Sequence, residues 1–207
     1  MEVLKLAYRG TDISSYQGNI DITALSSQVD FFVFRAYGGI TEDSKVNRNV
    51  ALAIQNEKPY GLYIYSYALN VLQAKEEAQR LIKLADSFIV KPTFLAFDME
   101  DSDGYKEKHG MSSDQILKDM CSVACEEFEK AGYYAMIYAN LYWFNTKLKG
   151  LNRFDKWLAR WPVLGGKQTA NNTSPDGESA TTCGIWQYTS QGRLNGYTRK
   201  FRFKLWL

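Results

Sequence analysis

The sequence predicts an α/β fold in which eight strands close into a barrel. Eight apolar, aromatic or β-branched runs recur along the 207 residues, helical segments separate several of them, and no linker interrupts the chain. Strands that alternate with helices are typical of a mostly parallel sheet, and eight such strands can close on themselves. Because about 200–250 residues is common for one barrel, we expect residues 1–207 to form a single domain. The expected architecture is a modified (β/α) TIM-like barrel.

The predicted strands and helices are short and well punctuated. The strands are RGTDIS (9–14), DFFVFRAYG (30–38), YGLYIYSYAL (60–69), PTFLAFDME (92–100), YYAMIYAN (133–140), KWLARW (156–161), CGIWQYTS (183–190) and KFRFKLWL (200–207). Apolar spacing predicts helices over 46–57, 71–85 and 114–130, and Ser112 with Gln115 has the spacing of a capping box for the third. Helices become fewer in the second half, where the polar segment 163–182 is either a functional rim or an insert.

Composition excludes several classes of protein. The net charge of +2 does not predict nucleic acid as a partner, and no apolar stretch approaches the length needed for membrane insertion. The first residues contain no apolar core of a signal peptide, so we expect synthesis in a cytoplasm. Three cysteines without framework spacing, Cys121, Cys125 and Cys183, predict buried free thiols, and neither a metal nor a cofactor is expected.

The acidic end of the fourth strand is the strongest chemical signal. In FDME, Asp98 and Glu100 point to the same face because strand side chains alternate. Two partly buried carboxyl groups cannot both ionise easily, so such a pair can supply a proton donor and an anion, as glycoside hydrolysis requires. Asp12 lies at the end of the first strand, and strand ends converge on one barrel mouth. The alternatives are a helix cap or solvent-facing acids for the pair, and an Asx turn for Asp12.

Six segments taken together resemble a known enzyme family. GTDISSYQGNID, FFVFRAYGG, YGLYIYSYAL, FLAFDMED, IYAN and GIWQYTSQGRLNGY occur in the order found in family 25 glycoside hydrolases. These are lysozymes (N-acetylmuramidases) that include many phage endolysins. The resemblance implies a modified barrel that binds bacterial peptidoglycan and cleaves its β-1,4 bond between N-acetylmuramic acid and N-acetylglucosamine. It also implies action on the bacterial cell wall, with either a separate wall-binding module or a pore-forming partner.

The resemblance assigns catalytic roles to three residues. It implies Glu100 as the general acid, Asp98 as the group that orients or stabilises the reacting sugar, and Asp12 as an N-terminal active-site aspartate. It leaves open whether a covalent intermediate forms or the substrate's own N-acetyl group acts. Five further side chains near strand ends are candidates for binding sugar, although core packing is an equal alternative for the aromatic ones. They are Tyr65, Tyr67, Asn140, Trp157 and Gln187.

The last strand departs from the family's pattern. Where the family has an aspartate and an asparagine, this chain has Arg202 and Lys204. Arg202 can pair with Asp12 or Asp98, or its strand can be displaced into solvent, or the barrel can bind peptidoglycan without cutting it. We expect an active or weakened enzyme, with an inactive peptidoglycan-binding barrel as the alternative. An oxygen-rich Mg²⁺ or Ca²⁺ site at the strand-end acids is a further alternative.

Overall fold

Eight strands of the chain form a closed barrel. The structure is a computed structural model, and it describes residues 8–161, 183–195, 197 and 201–206. The strands are β1 (Tyr8–Ile13), β2 (Phe31–Gly38), β3 (Thr41–Glu42), β4 (Tyr60–Tyr65), β5 (Phe94–Asp98), β6 (Tyr134–Asn140), β7 (Asp155–Ala159), β8 (Ile185–Gly192) and β9 (Phe201–Trp206). The barrel order is β1-β2-β4-β5-β6-β7-β8-β9, and β9 pairs with β1 to close it. The predicted TIM-like barrel is therefore confirmed.

The pairing explains why the barrel is a modified one. Within the barrel, neighbouring strands are parallel from β1 through β2, β4, β5, β6 and β7 to β8, whereas β9 runs antiparallel to both β8 and β1. The two-residue strand β3, which the sequence did not predict, pairs only with the end of β2. Since the seven parallel barrel strands run in one direction, their carboxyl ends meet at one mouth, where side chains from distant parts of the chain come together.

Helices cover the outside of the barrel between the strands. They are α1 (Ile22–Ser26), α2 (Val46–Gln55), α3 (Val71–Ser87), α4 (Tyr105–Lys108), α5 (Asp114–Lys130) and α6 (Leu141–Asn145), with a 3₁₀ turn at Ser15–Gln17. The predicted capping box of α5 is wrong by one residue. Ser113 is the N-cap and accepts from the Ile116 N–H, whereas the Ser112 hydroxyl donates to the Leu69 carbonyl. The predicted segment 163–182 lies outside the described residues.

The core has two parts, separated by the barrel wall. Outward-facing strand residues pack against the helices, and Cys121 and Cys125 of α5 are buried there as free thiols. Inward-facing residues form a second cluster inside the barrel. It contains Phe31, Val33, Tyr63, Phe94, Ala96, Met136, Tyr138, Trp157, Ala159 and Ile185. No helix in the described part of the chain is long and apolar enough to cross a membrane.

Glycines on two strands make room for aromatic rings inside the barrel. The Gly10 and Gly61 backbones lie against the rings of Phe31 and Phe94, so close that a Cβ at either glycine would overlap the ring. Phe31 and Phe94 begin β2 and β5, so their rings fill the end of the barrel opposite the mouth.

Substitution of Gly61 by alanine should therefore destabilise the barrel. We expect Gly61→Ala to lower the free energy of unfolding by about 1–3 kcal/mol, because Phe94 has to leave its preferred position. Urea unfolding measures this loss. Gly38→Ala is the matched control, since its Cβ would make an ordinary 3.6 Å contact with Tyr67; equal stability of the two variants would contradict the packing argument.

Candidate active site

The fourth barrel strand delivers two carboxyl groups to the mouth. Asp98 is the last residue of β5 and is 3% exposed, and Glu100 follows two positions later. Met99 between them is buried in the outer core, as alternation requires. The backbone here is fixed on both sides, because the Ser66 N–H donates to the Asp98 carbonyl at 3.0 Å and the Met99 N–H donates to the Tyr138 carbonyl at 2.9 Å. The neighbouring strands thus hold this pair in place.

An open pocket of about 300 Å³ lies above the two acids. The structure brings together Asp12, Asp98 and Glu100 on its wall, from the ends of the first and fourth barrel strands. Other lining residues are Ser14, Tyr16, Gln17, Arg35, Tyr63, Tyr65, Tyr67, Ser102, Asp103 and Arg202. The pocket is therefore polar, with tyrosine rings and carboxylates on its wall.

Burial raises the pKa of both carboxyl groups of the pair. It raises the pKa of Asp98 well above its usual value, and the charge of Glu100 adds to this, whereas Arg202 acts in the opposite direction. Burial also raises the pKa of Glu100, against the effects of Arg202 and Ser102. Within the described residues, Asp98 Oδ1 is buried without a hydrogen-bond partner. The pair can thus retain a proton at a pH where an exposed carboxyl group would lose it, and Asp98 keeps an acceptor atom for a ligand.

Asp12 is held by both cations of the last strand. Lys204 Nζ lies 2.9 Å from Asp12 Oδ1, and Arg202 Nη1 lies 4.0 Å from Asp12 Oδ2. Lys204 is completely buried, whereas the Arg202 side chain is 42% exposed. Of the positions considered for Arg202, the structure therefore favours pairing with Asp12 and excludes displacement of the strand into solvent.

Two of the predicted sugar-binding residues lie on the pocket wall. The Tyr67 hydroxyl donates to Asp103 Oδ2 at 2.7 Å, and the Tyr65 hydroxyl donates to Asp103 Oδ1 at 3.2 Å. Their ring centroids are 5.1 Å apart. The hydrogen bond to Asp103 is the main cause that raises the pKa of Tyr67 to about 12. Asp103 therefore fixes two aromatic rings beside Glu100, in positions where a sugar face can contact them.

The other three predicted sugar-binding residues have different surroundings. Trp157 is 1% exposed inside the barrel, where Lys204 Nζ lies 4.2 Å from its ring centroid. Gln187 is fully buried, accepts from Trp161 Nε1 at 3.0 Å and donates to Asp12 Oδ2 at 3.5 Å. The Asn140 side chain accepts from the Trp143 N–H and caps α6. The structure thus places Trp157 and Gln187 beneath the pocket, and Asn140 at a helix start, and not on the pocket wall.

A buried lysine behind the site was missed by the sequence analysis. Lys106, in the short helix α4, is 1% exposed, and its Nζ donates to the carbonyls of Ser66 and of Glu100, the latter at 2.9 Å. Burial lowers the pKa of Lys106, and the charges of Asp98 and Glu77 oppose this effect. Nothing in GYKEKHG distinguishes this lysine from its neighbour Lys108, so only the tertiary structure identifies it.

The third acid of this segment, Asp101, faces another way. Asp101 accepts from the backbone N–H groups of Lys106 and Glu107 and thereby fixes the start of α4. Across the described residues, no three His, Cys, Asp or Glu side chains are grouped as a metal ion would require. The surroundings of Asp101 therefore do not favour the oxygen-rich metal site considered from sequence.

A mostly parallel barrel with a partly buried carboxyl pair at the carboxyl ends of its strands, beneath an open tyrosine-lined pocket, is typical of glycoside hydrolases. Residues 11–197 match the family described as glycosyl hydrolases family 25, and the chain belongs to this family of enzymes. The resemblance seen in the sequence motifs is thereby confirmed. Among curated protein sequences, none matches the chain.

Solved structures share the fold at low sequence identity. The modular autolysin LytC from Streptococcus pneumoniae, in complex with a synthetic peptidoglycan ligand, has a TM-score of 0.80 at 23% identity over 97% of this chain and 47% of its own. The catalytic domain of endolysin ply40, from bacteriophage P40 of Listeria monocytogenes, has a TM-score of 0.76 at 22% identity, covering 97% and 93%. A family 25 glycosyl hydrolase from Bacillus anthracis has 0.76 at 21%, covering 100% and 91%.

Some of the similar structures are longer than this chain. The chain spans 66% of the CTP1L endolysin, with a TM-score of 0.74 at 18% identity and 97% of this chain covered, and it spans about half of LytC. The similarity to these proteins therefore concerns the barrel alone.

Proposed function

We propose that this chain is a peptidoglycan-cleaving lysozyme of the endolysin type. It hydrolyses the β-1,4 bond between N-acetylmuramic acid and N-acetylglucosamine, with Glu100 as the general acid and Asp98 assisting. The observation that carries this proposal is the pairing of buried Asp98 with half-buried Glu100 beneath an open pocket. Family membership and the autolysin structure with a peptidoglycan ligand support the choice of substrate.

Each residue of the pair has a distinct task. Glu100 retains a proton because of its burial, and it donates that proton to the glycosidic oxygen as the bond breaks. Asp98 has a buried oxygen, Oδ1, without a partner among the described residues, and this oxygen accepts from the N–H of the substrate acetamide or stabilises the positive charge at the reacting sugar. Tyr65 and Tyr67 offer ring faces to the glycan.

Digestion of purified cell walls tests the proposal. Wild-type protein should release soluble fragments whose new reducing ends, labelled by borohydride reduction, are N-acetylmuramic acid. New reducing ends of N-acetylglucosamine would show that the other glycosidic bond is cut and would contradict the assignment.

The second candidate is a peptidoglycan-binding barrel with weak or no catalysis. The observation that favours it is Arg202, a cation on the pocket wall beside Asp12. A binding barrel would sediment with the walls and release no reducing ends. Sedimentation together with product analysis of the same sample therefore separates the two functions.

A further inference from the structure

The last strand directs two cations into the barrel. Arg202 and Lys204 are two positions apart, so they share one face of β9. In the pairing with β1, Arg202 lies opposite Asp12, and Lys204 lies opposite Gly10. In the pairing with β8, Lys204 lies opposite Gln187. Lys204 thus lies deep in the barrel, and Arg202 lies one layer nearer the mouth.

Lys204 is a buried charge that needs Asp12. Its Nζ lies 2.9 Å from Asp12 Oδ1 and 4.2 Å from the centroid of the Trp157 ring. Burial lowers the pKa of Lys204 to about 7, although Asp12 opposes the shift. A buried ammonium without a counter-ion is costly, so Lys204 holds Asp12 in a fixed position.

Of the two cations of β9, only Arg202 lines the pocket in the described structure. Its guanidinium is 4.0 Å from the second oxygen of Asp12 and is on the wall of the pocket that Asp98 and Glu100 also line. Burial disfavours its charge, but the nearby acids outweigh this effect, and the pKa of Arg202 stays above its usual value. The other groups around it are Tyr63 of β4, Tyr138 of β6 and Lys204 itself.

We propose that Arg202 is a positioning residue of the Asp98–Glu100 pair, and that Asp12, fixed by Lys204, holds Arg202 against that pair. Asp12 then acts through Arg202 and need not touch the substrate. This inference rests on the proposed function. Arg202, which departs from the family's pattern, thereby has a role in the site. Its fixed positive charge helps one of the two acids to ionise while the other keeps its proton.

The direction of the effect follows from the charges. Burial raises the pKa of Asp98 and of Glu100, and Arg202 lowers both pKa values. Without the cation, both acids hold their protons to higher pH. In Arg202→Gln, we expect both limbs of the pH profile of kcat/KM to move to higher pH by at least about half a pH unit. The expected shift is modest because the guanidinium is partly exposed and solvent screens its charge.

The first experiment compares wild type, Arg202→Gln and Arg202→Lys. The pH profile of kcat/KM on solubilised glycan should shift for Arg202→Gln and return toward wild type for Arg202→Lys, which keeps the charge. A uniform loss of rate with unmoved limbs would overturn the proposal. Carboxyl ¹³C NMR titration of Asp98 and Glu100 makes the same comparison in the absence of catalysis. If no variant, including wild type, forms product, that result counts against the proposed function, and the titration still tests this inference.

The second experiment tests the link through Lys204. Removal of one partner from a buried ion pair leaves the other charge buried and unpaired, so removal of both partners costs less than the sum of the two single losses. Unfolding of Lys204→Met, Asp12→Asn and the double variant should therefore be strongly non-additive. Additive losses, or Asp98 and Glu100 titrations unchanged in Asp12→Asn, would overturn the role of Asp12. If Asp12→Asn fails to fold at 25 °C, the double variant is titrated in its place, and Asp98 and Glu100 titrations that match wild type there would again overturn the role of Asp12.

Discussion

Glu100→Gln should abolish most of the wall-cleaving activity while the protein remains folded. The amide has nearly the shape of the acid but cannot donate a proton to the leaving oxygen. General acid catalysis contributes roughly 10²–10⁴-fold to rate, and we expect a loss of kcat in that range. Release of reducing ends from purified walls measures the loss. The KM for walls should change little, because the amide has nearly the shape of the acid.

Stability and a matched variant separate chemistry from misfolding. Burial raises the pKa of Glu100, so ionisation of this residue destabilises the folded state as pH rises above the unfolded value. Removal of this group should therefore not lower the unfolding temperature at neutral pH. Glu107→Gln makes the same change on an exposed residue of α4 and should retain full activity. Equal clearing of walls by Glu100→Gln and Glu107→Gln would refute the assignment of Glu100.

Lys106→Met should strongly destabilise the protein. It leaves the buried carbonyl of Ser66 and the partly buried carbonyl of Glu100 without their donor, and a buried polar group without a partner costs about 1–3 kcal/mol. We expect a loss of roughly 2–5 kcal/mol in the free energy of unfolding. Chemical unfolding monitored by tryptophan fluorescence provides this value.

The same lysine should influence catalysis through the backbone. Lys106 joins the segment after β4 to the segment after β5, and the latter carries Glu100. At a temperature where Lys106→Met is still folded, kcat should fall more than KM rises, because the segment that carries Glu100, the proposed proton donor, is displaced. Lys108→Met changes an exposed lysine of the same helix and should match wild type in both respects. A folded Lys106→Met protein with wild-type kcat would contradict the positioning role.

The barrel was predictable because its strands have strong local patterns. Runs such as FFVFRAYG and PTFLAFD are apolar on both faces, which is typical of strands between a filled barrel and a helical layer. The end of the chain was harder. The sequence predicted KFRFKLWL as the eighth strand, but only pairing shows that it runs antiparallel to both neighbours and closes the barrel.

The site was predictable to the extent that it depends on strand alternation. Asp98 and Glu100 share a face for a local reason, and Asp12, Tyr65 and Tyr67 come to the same pocket because parallel strands end together. Trp157 and Gln187 fall on the same inward-facing side, yet they lie too deep to reach the pocket wall. Depth along a strand depends on the stagger of the closed barrel, which no local pattern encodes.

The sequence by itself determined the strands, their apolar faces, and the carboxyl pair at the end of PTFLAFDME. Only the tertiary structure decided which charges meet. It brought Lys204 onto Asp12, placed Arg202 on the pocket wall that Asp98 and Glu100 also line, and joined Lys106 to the Glu100 carbonyl. The reason is physical: periodicity fixes the face on which a side chain lies, whereas contacts between residues nearly 200 positions apart depend on how the last strand closes against the first.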